Sequence, residues 1–338
     1  MKEAMLYERL EKGDVRCILC GHRCLIKDGK RGICGVRESK GGTLYTLVYG
    51  KVIARHIDPI EKKPLFHFHP GSTSYSIATV GCNLRCTHCQ NYEISQYPKE
   101  RYDIVIPGED TTPEEMVGLA KSTGCLSISY TYTEPTIFFE FAYDTARLAK
   151  EKGIKNVFVS NGYTSPDATK MIAPYLDANN IDLKSFRDEH YRKVCGGKLQ
   201  PVLDTIRLMK ESGVWVEVTT LIIPTYNDSE EELRNIAEFI KSVSIDIPWH
   251  VTQFYPTYKL LDQPRTPIGT LRRAREIGLE AGLRYVYEGN VPGEGGESTY
   301  CYNCGKILID RYDYIIKGNY IKDSKCPDCG SVIGGVGL

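Results

Sequence analysis

The stretch "VGCNLRCTHCQN" (Val80–Asn91) places three cysteines, Cys82, Cys86 and Cys89, within eight residues. A closed structural zinc site takes four protein ligands, and a fully thiolate-bound [4Fe–4S] cluster takes four cysteines. Three thiolates on a cubane cluster leave one iron open to another ligand. The spacing CxxxCxxC therefore predicts one loop wrapped around a cluster that keeps an exchangeable position.

This loop follows an apolar segment, Tyr75–Val80, that predicts a β-strand. The loop is therefore expected at the carboxyl end of a sheet, where α/β enzymes keep their active sites. Gly81 and Asn83 suit a sharp departure from the strand. Two alternatives are a three-thiolate zinc site with His88 as fourth ligand, or plain core cysteines. His88 lies between the last two cysteines, which makes it hard to direct at the same ion.

Strand and helix patterns alternate after the loop, and this alternation predicts a parallel sheet, either doubly wound or closed into a barrel. The predicted strands are Tyr75–Val80, Leu126–Tyr130, Asn156–Ser160, Asn179–Leu183, Val214–Ile222, His250–Phe254 and Arg284–Tyr287. The predicted helices include Pro113–Ser122, Pro135–Lys152, Leu199–Ser212 and Glu230–Ser242. Thr112 is the expected N-cap of the first of these helices.

A second group of cysteines lies near the amino terminus, in "CILCGHRCLIKDGKRGICGVRE". We call this the N-terminal cysteine group, and its members are Cys17, Cys20, Cys24 and Cys34. Its Cx2Cx3Cx9C spacing is compatible with zinc or with an auxiliary [4Fe–4S] cluster, and zinc is favoured. His22 is a conceivable substitute ligand.

A third group lies near the carboxyl terminus, in the two knuckles "CYNCG" and "CPDCG". We call this the ribbon group, and its members are Cys301, Cys304, Cys326 and Cys329. Two CxxC pairs separated by 21 residues have zinc-ribbon spacing, which predicts a closed structural zinc site. A rubredoxin-like iron or an auxiliary cluster is the alternative. The Gly-rich stretch Val291–Ser298 is interpreted as a linker, and Cys125 and Cys195 as buried or incidental thiols.

Composition limits the functional classes. The chain has 338 residues with a formal net charge of zero, which argues against nucleic acid and anionic membranes as partners. Its beginning is too polar for a signal peptide, and no apolar run has transmembrane length. The 13 cysteines, mostly in close pairs, are typical of metal binding in a reducing compartment, so a cytoplasmic location is expected.

The cysteine loop resembles the signature of radical S-adenosylmethionine (SAM) enzymes, and "CNLRCTHCQN" is most similar to the branch containing pyruvate formate-lyase activating enzyme. Over nearly the whole chain, "CILCGHRCLIKDGKRGICGVR", "DPIEKKPLFHFHPGS" and "YTYTEPTIFFEF" resemble the radical SAM member of the AmmeMemoRadiSam set. The resemblance implies a partial (β/α)6 TIM-like barrel over residues 57–290. An N-terminal metal-binding segment (1–56) and a zinc ribbon (291–338) would flank it.

The resemblance also implies a mechanism. SAM would chelate the open iron, and the reduced cluster would cleave it to a 5′-deoxyadenosyl radical that abstracts hydrogen from substrate. Glu134 matches the acid that holds the SAM amino group, although Tyr132 and Thr133 replace the family's glycines. The resemblance also implies further contacts with SAM. His88 is expected beside the adenine, and Ser160 and Asn161 in a turn that faces the cofactor. Asp182 and Lys184 are expected to contact the ribose or the methionine carboxylate, and His250 the ribose.

The histidine-rich stretch "ARHIDPIEKKPLFHFHP" is interpreted either as a cover over the barrel opening or as a structural linker. The leading functional hypothesis is an enzyme that performs radical chemistry on an unknown protein or small molecule. Its expected partners are a reductant such as ferredoxin or flavodoxin and the other two AmmeMemoRadiSam proteins. The alternatives are an activase of a glycyl-radical enzyme and, from another class, a multi-zinc module that binds RNA or protein.

Overall fold

The computed structural model describes residues 1–100 and 105–338. Its strands are β1 (Lys2–Glu3), β2 (Tyr7–Arg9), β3 (Val15–Cys17), β4 (Leu25–Ile26), β5 (Arg37–Lys40), β6 (Thr43–Thr46), β7 (Lys51–Val52), β8 (Ala54–Pro59), β9 (Thr73–Ala78), β10 (Glu109–Asp110), β11 (Ser127–Tyr130), β12 (Lys155–Ser160), β13 (Ala178–Asp182), β14 (Trp215–Ile222), β15 (Trp249–Gln253), β16 (Val286–Gly289), β17 (Thr299–Tyr300), β18 (Ile307–Tyr312) and β19 (Ile315–Asn319). Its α-helices are α1 (Tyr92–Ser95), α2 (Tyr97–Glu100), α3 (Pro113–Ser122), α4 (Phe139–Glu151), α5 (Pro166–Ile172), α6 (Asp188–His190), α7 (Gln200–Glu211), α8 (Glu230–Val243) and α9 (Ile268–Ala281).

One eight-stranded sheet organises the fold, in the order β16-β15-β14-β13-β12-β11-β9-β8. Its seven strands from β9 to β16 run parallel and follow chain order, which confirms the predicted parallel sheet. Each of the seven predicted strands lies within two residues of its observed position. Strand β8 was not predicted, because its sequence "ARHIDP" lacks apolar alternation; it pairs antiparallel with β9.

The two faces of this sheet differ in chemistry. On β9, Tyr75 and Ile77 join the main apolar core beneath the helices. Ser74 and Ser76 alternate with them and therefore point to the other face. There the Ser74 hydroxyl lies 2.5 Å from the hydroxyl of Ser129 on β11. We call this second side of the sheet the polar face.

The helices that cover the apolar face begin at strong local signals. Thr112 caps α3, because it accepts from the Glu115 backbone N–H while the Glu115 carboxylate returns a bond to the Thr112 N–H. Ser229 caps α8 by accepting from the Glu232 N–H. The predicted helix at Pro135–Lys152 is divided, since its first turn is a 3₁₀ helix that precedes α4. None of the helices in the two described ranges is long and apolar enough to cross a membrane.

A buried carboxylate holds together the amino ends of the strands. Glu217 on β14 accepts the backbone N–H groups of Phe66 and His67 at 3.0 and 2.8 Å. It also accepts the Trp215 indole N–H at 3.0 Å and bonds His250 Nε2 at 2.7 Å. Burial alone would raise the pKa of Glu217, but these partners hold that pKa below its ordinary value. The histidine-rich stretch therefore covers the amino end of the sheet, opposite the carboxyl end that carries the cysteine loop.

The ribbon, β17–β19, packs against this same amino end. Arg311 on β18 is 3% exposed and donates to the Phe66 carbonyl at 2.8 Å and to the Thr299 hydroxyl at 2.7 Å. Its guanidinium also lies 4.4 Å from the centroid of the Phe66 ring. The C-terminal tail adds a backbone bridge between Phe68 and Val336. The ribbon and the sheet therefore share one packed interface.

The Gly-rich stretch that leads to the ribbon is fixed in place at both ends. Val291 is buried, and the Gly293 N–H donates to the buried Glu297 carboxylate at 2.9 Å. The Gly296 carbonyl accepts the Glu288 N–H of β16 at 3.0 Å. Composition suggested a linker, and turn residues of this kind also occur where the backbone folds tightly onto its neighbours.

Replacing Arg311 with methionine should destabilise the protein by about 2–4 kcal/mol, because buried carbonyl and hydroxyl groups lose a charged donor. Arg272→Met is the matched control, since Arg272 pairs with Glu294 at the surface and its side chain is 58% exposed. The control should change stability by about 0.5 kcal/mol or less. Denaturant unfolding followed by circular dichroism measures both, and equal losses would contradict the docking role of Arg311.

The His67 side chain should make the protein acid-sensitive. Burial lowers the pKa of His67 to about 4, below the value of about 6.5 expected for an unfolded chain. The unfolded state therefore binds more protons between these values, so stability falls as pH drops from about 6.5 towards 4. His67→Gln should make this slope shallower by about half a proton at pH 6.5 and by about 0.9 proton at pH 5.5. An unchanged slope in denaturant titrations at several pH values would contradict the assignment.

Candidate active site and metal centres

The cluster loop, Val80–Asn91, leaves the carboxyl end of β9 through a glycine. Gly81 has φ of 101°, a conformation that side chains rarely adopt. A Cβ there would lie 2.8 Å from Val36 Cγ1 and 3.2 Å from the Cys34 carbonyl oxygen. The Gly81 N–H closes the loop by donating to the Ile94 carbonyl at 2.9 Å. The predicted sharp departure is thus confirmed, and the N-terminal segment packs directly against it.

The three cysteines of the loop form the triad, and they have the surroundings of metal ligands. Cys82 and Cys86 are buried, while Cys89 is partly exposed. Cys82 Sγ accepts the Leu84 N–H at 3.4 Å and the Asn161 side-chain amide at 3.6 Å. Burial raises the pKa of Cys82 to about 12, so its thiolate requires a nearby cation. N–H groups already directed at this sulfur fit a metal-bound thiolate.

The spacing of the triad distinguishes a cluster from a single ion. Within residues 1–100 and 105–338, the three sulfurs and His88 do not form a set of ligand atoms all within 4.8 Å of one another. A cubane places each thiolate on a different iron, so its sulfurs stand farther apart than the ligands of one zinc. The geometry therefore fits the predicted cluster better than zinc with His88 as a ligand.

His88 lies in the loop with one ring nitrogen to spare. Its side chain is 4% exposed, and Nδ1 has no partner among the described residues. Burial lowers the pKa of His88 well below its ordinary value, so the ring is neutral at physiological pH. A neutral ring with an unpaired nitrogen beside the cluster loop offers one hydrogen bond to a bound cofactor.

Glu134, predicted to hold the SAM amino group, is fully engaged within the protein. One carboxylate oxygen accepts from the Thr136 N–H at 3.0 Å, the Thr136 hydroxyl at 2.7 Å and the Ser160 hydroxyl at 2.9 Å. The other oxygen accepts the Asn161 N–H at 2.8 Å. Glu134 therefore ties the turn after β11 to the turn after β12.

Asn161 carries this connection to the cluster loop. Its side-chain amide donates to Asn83 Oδ1 at 2.8 Å as well as to Cys82 Sγ. Its own oxygen accepts the Tyr163 N–H at 2.9 Å. The structure thus brings the predicted residues Glu134, Ser160 and Asn161 together, with Asn161 touching the triad.

Asp182 and Lys184 meet at the end of β13, as the two-residue spacing predicts. Lys184 Nζ donates to Asp182 Oδ2 at 2.8 Å, with side chains 14% and 36% exposed. The Lys184 carbonyl accepts the Asn227 side-chain amide at 2.8 Å, which fixes the turn. The pair is accessible at the carboxyl end of the sheet, where the cluster loop also lies.

His250 is placed away from this group. It is the second residue of β15, near the amino end of that strand, and its ring bonds Glu217. The rings of Phe66 and Tyr287 pack on it, with centroids 4.7 and 5.3 Å away. The ribose contact expected of His250 stays a prediction, and the observed contacts are those of a core histidine.

Sequence reasoning missed a buried polar cluster on the polar face, formed by Asp58, Lys63 and Tyr132. Lys63 Nζ donates to Asp58 Oδ2 at 2.6 Å and lies 4.6 Å from the Tyr132 ring centroid. The Tyr132 hydroxyl donates to the same carboxylate. Burial lowers the pKa of Lys63 to about 8, although Asp58 opposes this effect. The available signal was a charged stretch, "DPIEKKP", inside the histidine-rich stretch.

Tyr132 connects this polar cluster to the cluster loop. Its carbonyl accepts the Asn91 side-chain amide at 2.7 Å. It adopts φ of 61°, a left-handed conformation that is uncommon for a non-glycine residue and is found at functional sites. Glycine adopts this conformation without strain, so the backbone of Tyr132 is compatible with the glycine that the resemblance implies at this position.

Cys195 was expected to be a buried or incidental thiol, and it is a buried thiol that packs against the cluster loop. It is fully buried at the end of a π-helical turn, Tyr191–Cys195. Its carbonyl accepts the Arg85 N–H at 2.7 Å, and the Val194 carbonyl accepts the Thr87 N–H at 3.0 Å. A hydrogen bond with Cys195 raises the pKa of Cys86 well above its ordinary value.

The ribbon group has single-ion geometry. Its four sulfurs all lie within 4.8 Å of one another, with Cys301–Cys329 and Cys304–Cys326 contacts of 3.6 Å. Tetrahedral zinc with Zn–S bonds of about 2.3 Å places its sulfurs about 3.8 Å apart. Four thiolates with no open position fit structural zinc or a single iron.

Comparison with known proteins shows which family the chain matches. The model of the radical SAM superfamily matches residues 76–240. An uncharacterized protein of Methanocaldococcus jannaschii is 49% identical over 336 residues, covering 98% of this chain and 99% of that protein. Pyruvate formate-lyase-activating enzyme of Clostridium pasteurianum is 25% identical over 62% of this chain and 89% of its own length.

Among solved structures, a radical SAM methyltransferase from Sphaerobacter thermophilus is similar in fold, with a TM-score of 0.51 and 16% identity over 71% of each chain. Members of the superfamily are enzymes that use a [4Fe–4S] cluster and SAM. The residues that match the family include the three cysteines of the cluster loop. The chain belongs to the radical SAM superfamily.

Proposed function

We propose that this enzyme acts on a protein or small-molecule substrate bound against the polar face, beside Asp58, Lys63 and Tyr132. The observation that carries the proposal is Tyr132, which bonds Asn91 of the cluster loop through its carbonyl and Asp58 through its hydroxyl. The polar face is the inner face of a partial (β/α)6 barrel in this proposal. When bound, the cluster and SAM supply a 5′-deoxyadenosyl radical that takes hydrogen from the substrate.

The Asp58–Lys63 pair suits recognition of a polar substrate group. Lys63 is 1% exposed and Asp58 is 4% exposed, so both charges lie in a site from which water is largely excluded. Asp58 stays ionised, since burial alone would raise its pKa but Lys63, Tyr132 and Lys62 hold it well below the ordinary value. Buried, oriented charges discriminate between polar partners more strongly than exposed ones.

Several residues have separate proposed roles in holding SAM. Lys184 and Asp182 would meet the carboxylate and ribose of SAM, because their side chains are polar and partly exposed at the carboxyl edge. His88 would face adenine with its unpaired nitrogen. Glu134 would act indirectly, by holding Asn161 against the triad, since all the bonds described for its carboxylate are internal.

The proposed partners follow from the chemistry. Reductive cleavage of SAM requires a one-electron donor, such as ferredoxin or flavodoxin. We further propose that the other two AmmeMemoRadiSam proteins act with this enzyme. This proposal rests on the three sequence stretches that resemble the radical SAM member of that set.

A second candidate function is activation of a glycyl-radical enzyme, favoured by the similarity to pyruvate formate-lyase-activating enzyme over 62% of the chain. A glycyl-radical signal in electron paramagnetic resonance (EPR) spectra, formed on a partner enzyme, would identify that alternative.

Comparing Cys86→Ala with Cys304→Ala separates the catalytic from the structural metal. Each variant removes one thiolate from a metal site. Cys86→Ala should abolish 5′-deoxyadenosine formation while the circular dichroism spectrum stays unchanged, since the sheet has its own core. Cys304→Ala should lose ribbon metal and stability but keep measurable cleavage. Dithionite-driven SAM cleavage under anaerobic conditions tests both, and retained cleavage in Cys86→Ala would refute the mechanism.

Comparing Lys63→Met with Lys62→Met tests the substrate site, because both lysines pair with Asp58 but only Lys63 is buried. Reduced enzyme and SAM are incubated with an extract of the source cells grown in deuterated medium, separated into protein and small-molecule fractions. Deuterium should enter 5′-deoxyadenosine with one fraction, which identifies the substrate class. We expect Lys63→Met to lower the deuterated share about tenfold or more, as a loss of about 1.4 kcal/mol or more in substrate binding would.

Lys62→Met should keep the deuterated share close to that of the natural enzyme, because its ammonium is exposed and its ion pair is weak. Equal behaviour of the two variants, with deuterium transfer intact, would place the substrate elsewhere on the sheet.

A further inference from the structure

The four cysteines of the N-terminal cysteine group line a single cavity. The space between its walls is about 330 Å³ and is partly open to solvent. The apolar part of its wall is formed by Leu19, Ile26, Ile33 and Ile137. Four thiols that converge on one apolar cavity, in a chain without disulfides, indicate a site for a metal group.

The ribbon group shows the sulfur-to-sulfur distances of a single-ion site in this same protein. In the ribbon the sulfurs contact one another in pairs at 3.6 Å, and all four lie within 4.8 Å of one another. No three sulfurs of the N-terminal cysteine group lie within 4.8 Å of one another in the described chain. A cubane cluster separates its thiolates by placing one on each iron. The wider spacing of these sulfurs therefore fits a cluster better than it fits tetrahedral zinc.

A buried arginine supplies a second, independent observation. Arg37 lines the same cavity and is 2% exposed. Its Nη2 donates to Glu140 and to the Met5 carbonyl, but Nε and Nη1 have no partner among the described residues. Unpaired charged donors in an apolar interior are costly, so an acceptor is expected there. Sulfide and thiolate atoms of an anionic cluster are such acceptors.

His22 also lines this cavity. Its Nε2 donates to the backbone carbonyl of Asn83 at 2.7 Å. The four cysteines match the four irons of a cubane in number, so a cluster that they bound would have no open iron.

The cavity adjoins the catalytic loop. Asn83, the residue after Cys82, forms part of its wall. The Asn83 side chain accepts from Asn161, which also donates to Cys82 Sγ. On the other side, the Cys34 carbonyl packs against Gly81. One asparagine side chain and one turn of backbone thus separate the two groups of thiols.

We propose that the N-terminal cysteine group binds an auxiliary [4Fe–4S] cluster beside the catalytic one, with each iron held by one of Cys17, Cys20, Cys24 and Cys34. This cluster differs from the catalytic cluster in having four protein thiolates. It should therefore be insensitive to SAM, whereas the catalytic cluster binds SAM at its open iron.

The test uses the full chain with Cys82, Cys86 and Cys89 replaced by alanine, so that the N-terminal cysteine group is untouched. After anaerobic reconstitution, this triple variant should keep about four irons and four sulfides per chain. Dithionite reduction should give a [4Fe–4S] EPR signal that SAM does not change. Near-zero iron with two zinc ions per chain, or a signal that SAM shifts, would overturn the proposal.

Adding Cys20→Ala and Cys24→Ala to the triple variant is the control. Iron should fall to near zero while one ribbon zinc remains, which shows that the protein is still folded around its structural metal. Persistence of about four irons would place the cluster elsewhere and refute the assignment. In the natural enzyme, full reduction should give an EPR signal broadened by interaction between two neighbouring clusters. A simple sum of two unperturbed signals would contradict their adjacency.

Discussion

Parallel strand order is the constraint on which the active site depends. Seven parallel strands in chain order place the turns after β9, β11, β12 and β13 along one edge. Those four turns carry the cluster loop, Tyr132 and Glu134, Ser160 and Asn161, and the Asp182–Lys184 pair. A different strand order would keep every one of these side chains but would not bring them together.

Buried carboxylates then hold this edge and its opposite in place. Glu134 accepts four hydrogen bonds that join neighbouring turns at the carboxyl end. Glu217 joins neighbouring segments at the amino end, where its carboxylate forms hydrogen bonds with the histidine-rich stretch, β14 and β15. A carboxylate without donors would be costly in these positions, so each one specifies its neighbours. The result is a site whose protein frame is organised before any cofactor binds.

The three groups of cysteines show that the distances between sulfurs distinguish a single-ion site from a cluster site, whereas the spacing of cysteines in the sequence does not. Spacing alone favoured zinc for both the N-terminal and the ribbon groups, and it left a cluster open as the alternative for each. In the fold, the ribbon sulfurs contact each other, whereas the N-terminal sulfurs surround a cavity that also holds unpaired arginine donors. Sulfur-to-sulfur distance is set by whether thiolates share one ion or occupy different irons, so it carries information that the spacing of cysteines along the chain does not.

The sequence by itself determined the elements and the chemistry of the catalytic loop. Apolar segments predicted the seven parallel strands, and Thr112 was predicted as the N-cap of α3. Three cysteines in eight residues predicted a cluster site with one iron left open. These predictions were possible because each signal is local in the sequence. The tertiary structure decided what depends on distant partners. It placed His250 with Glu217, joined Asp58 and Lys63 to Tyr132, brought Cys195 to the cluster loop and docked the ribbon through Arg311. Contacts between residues far apart in the chain leave no periodicity in it, so only the packed fold could reveal them.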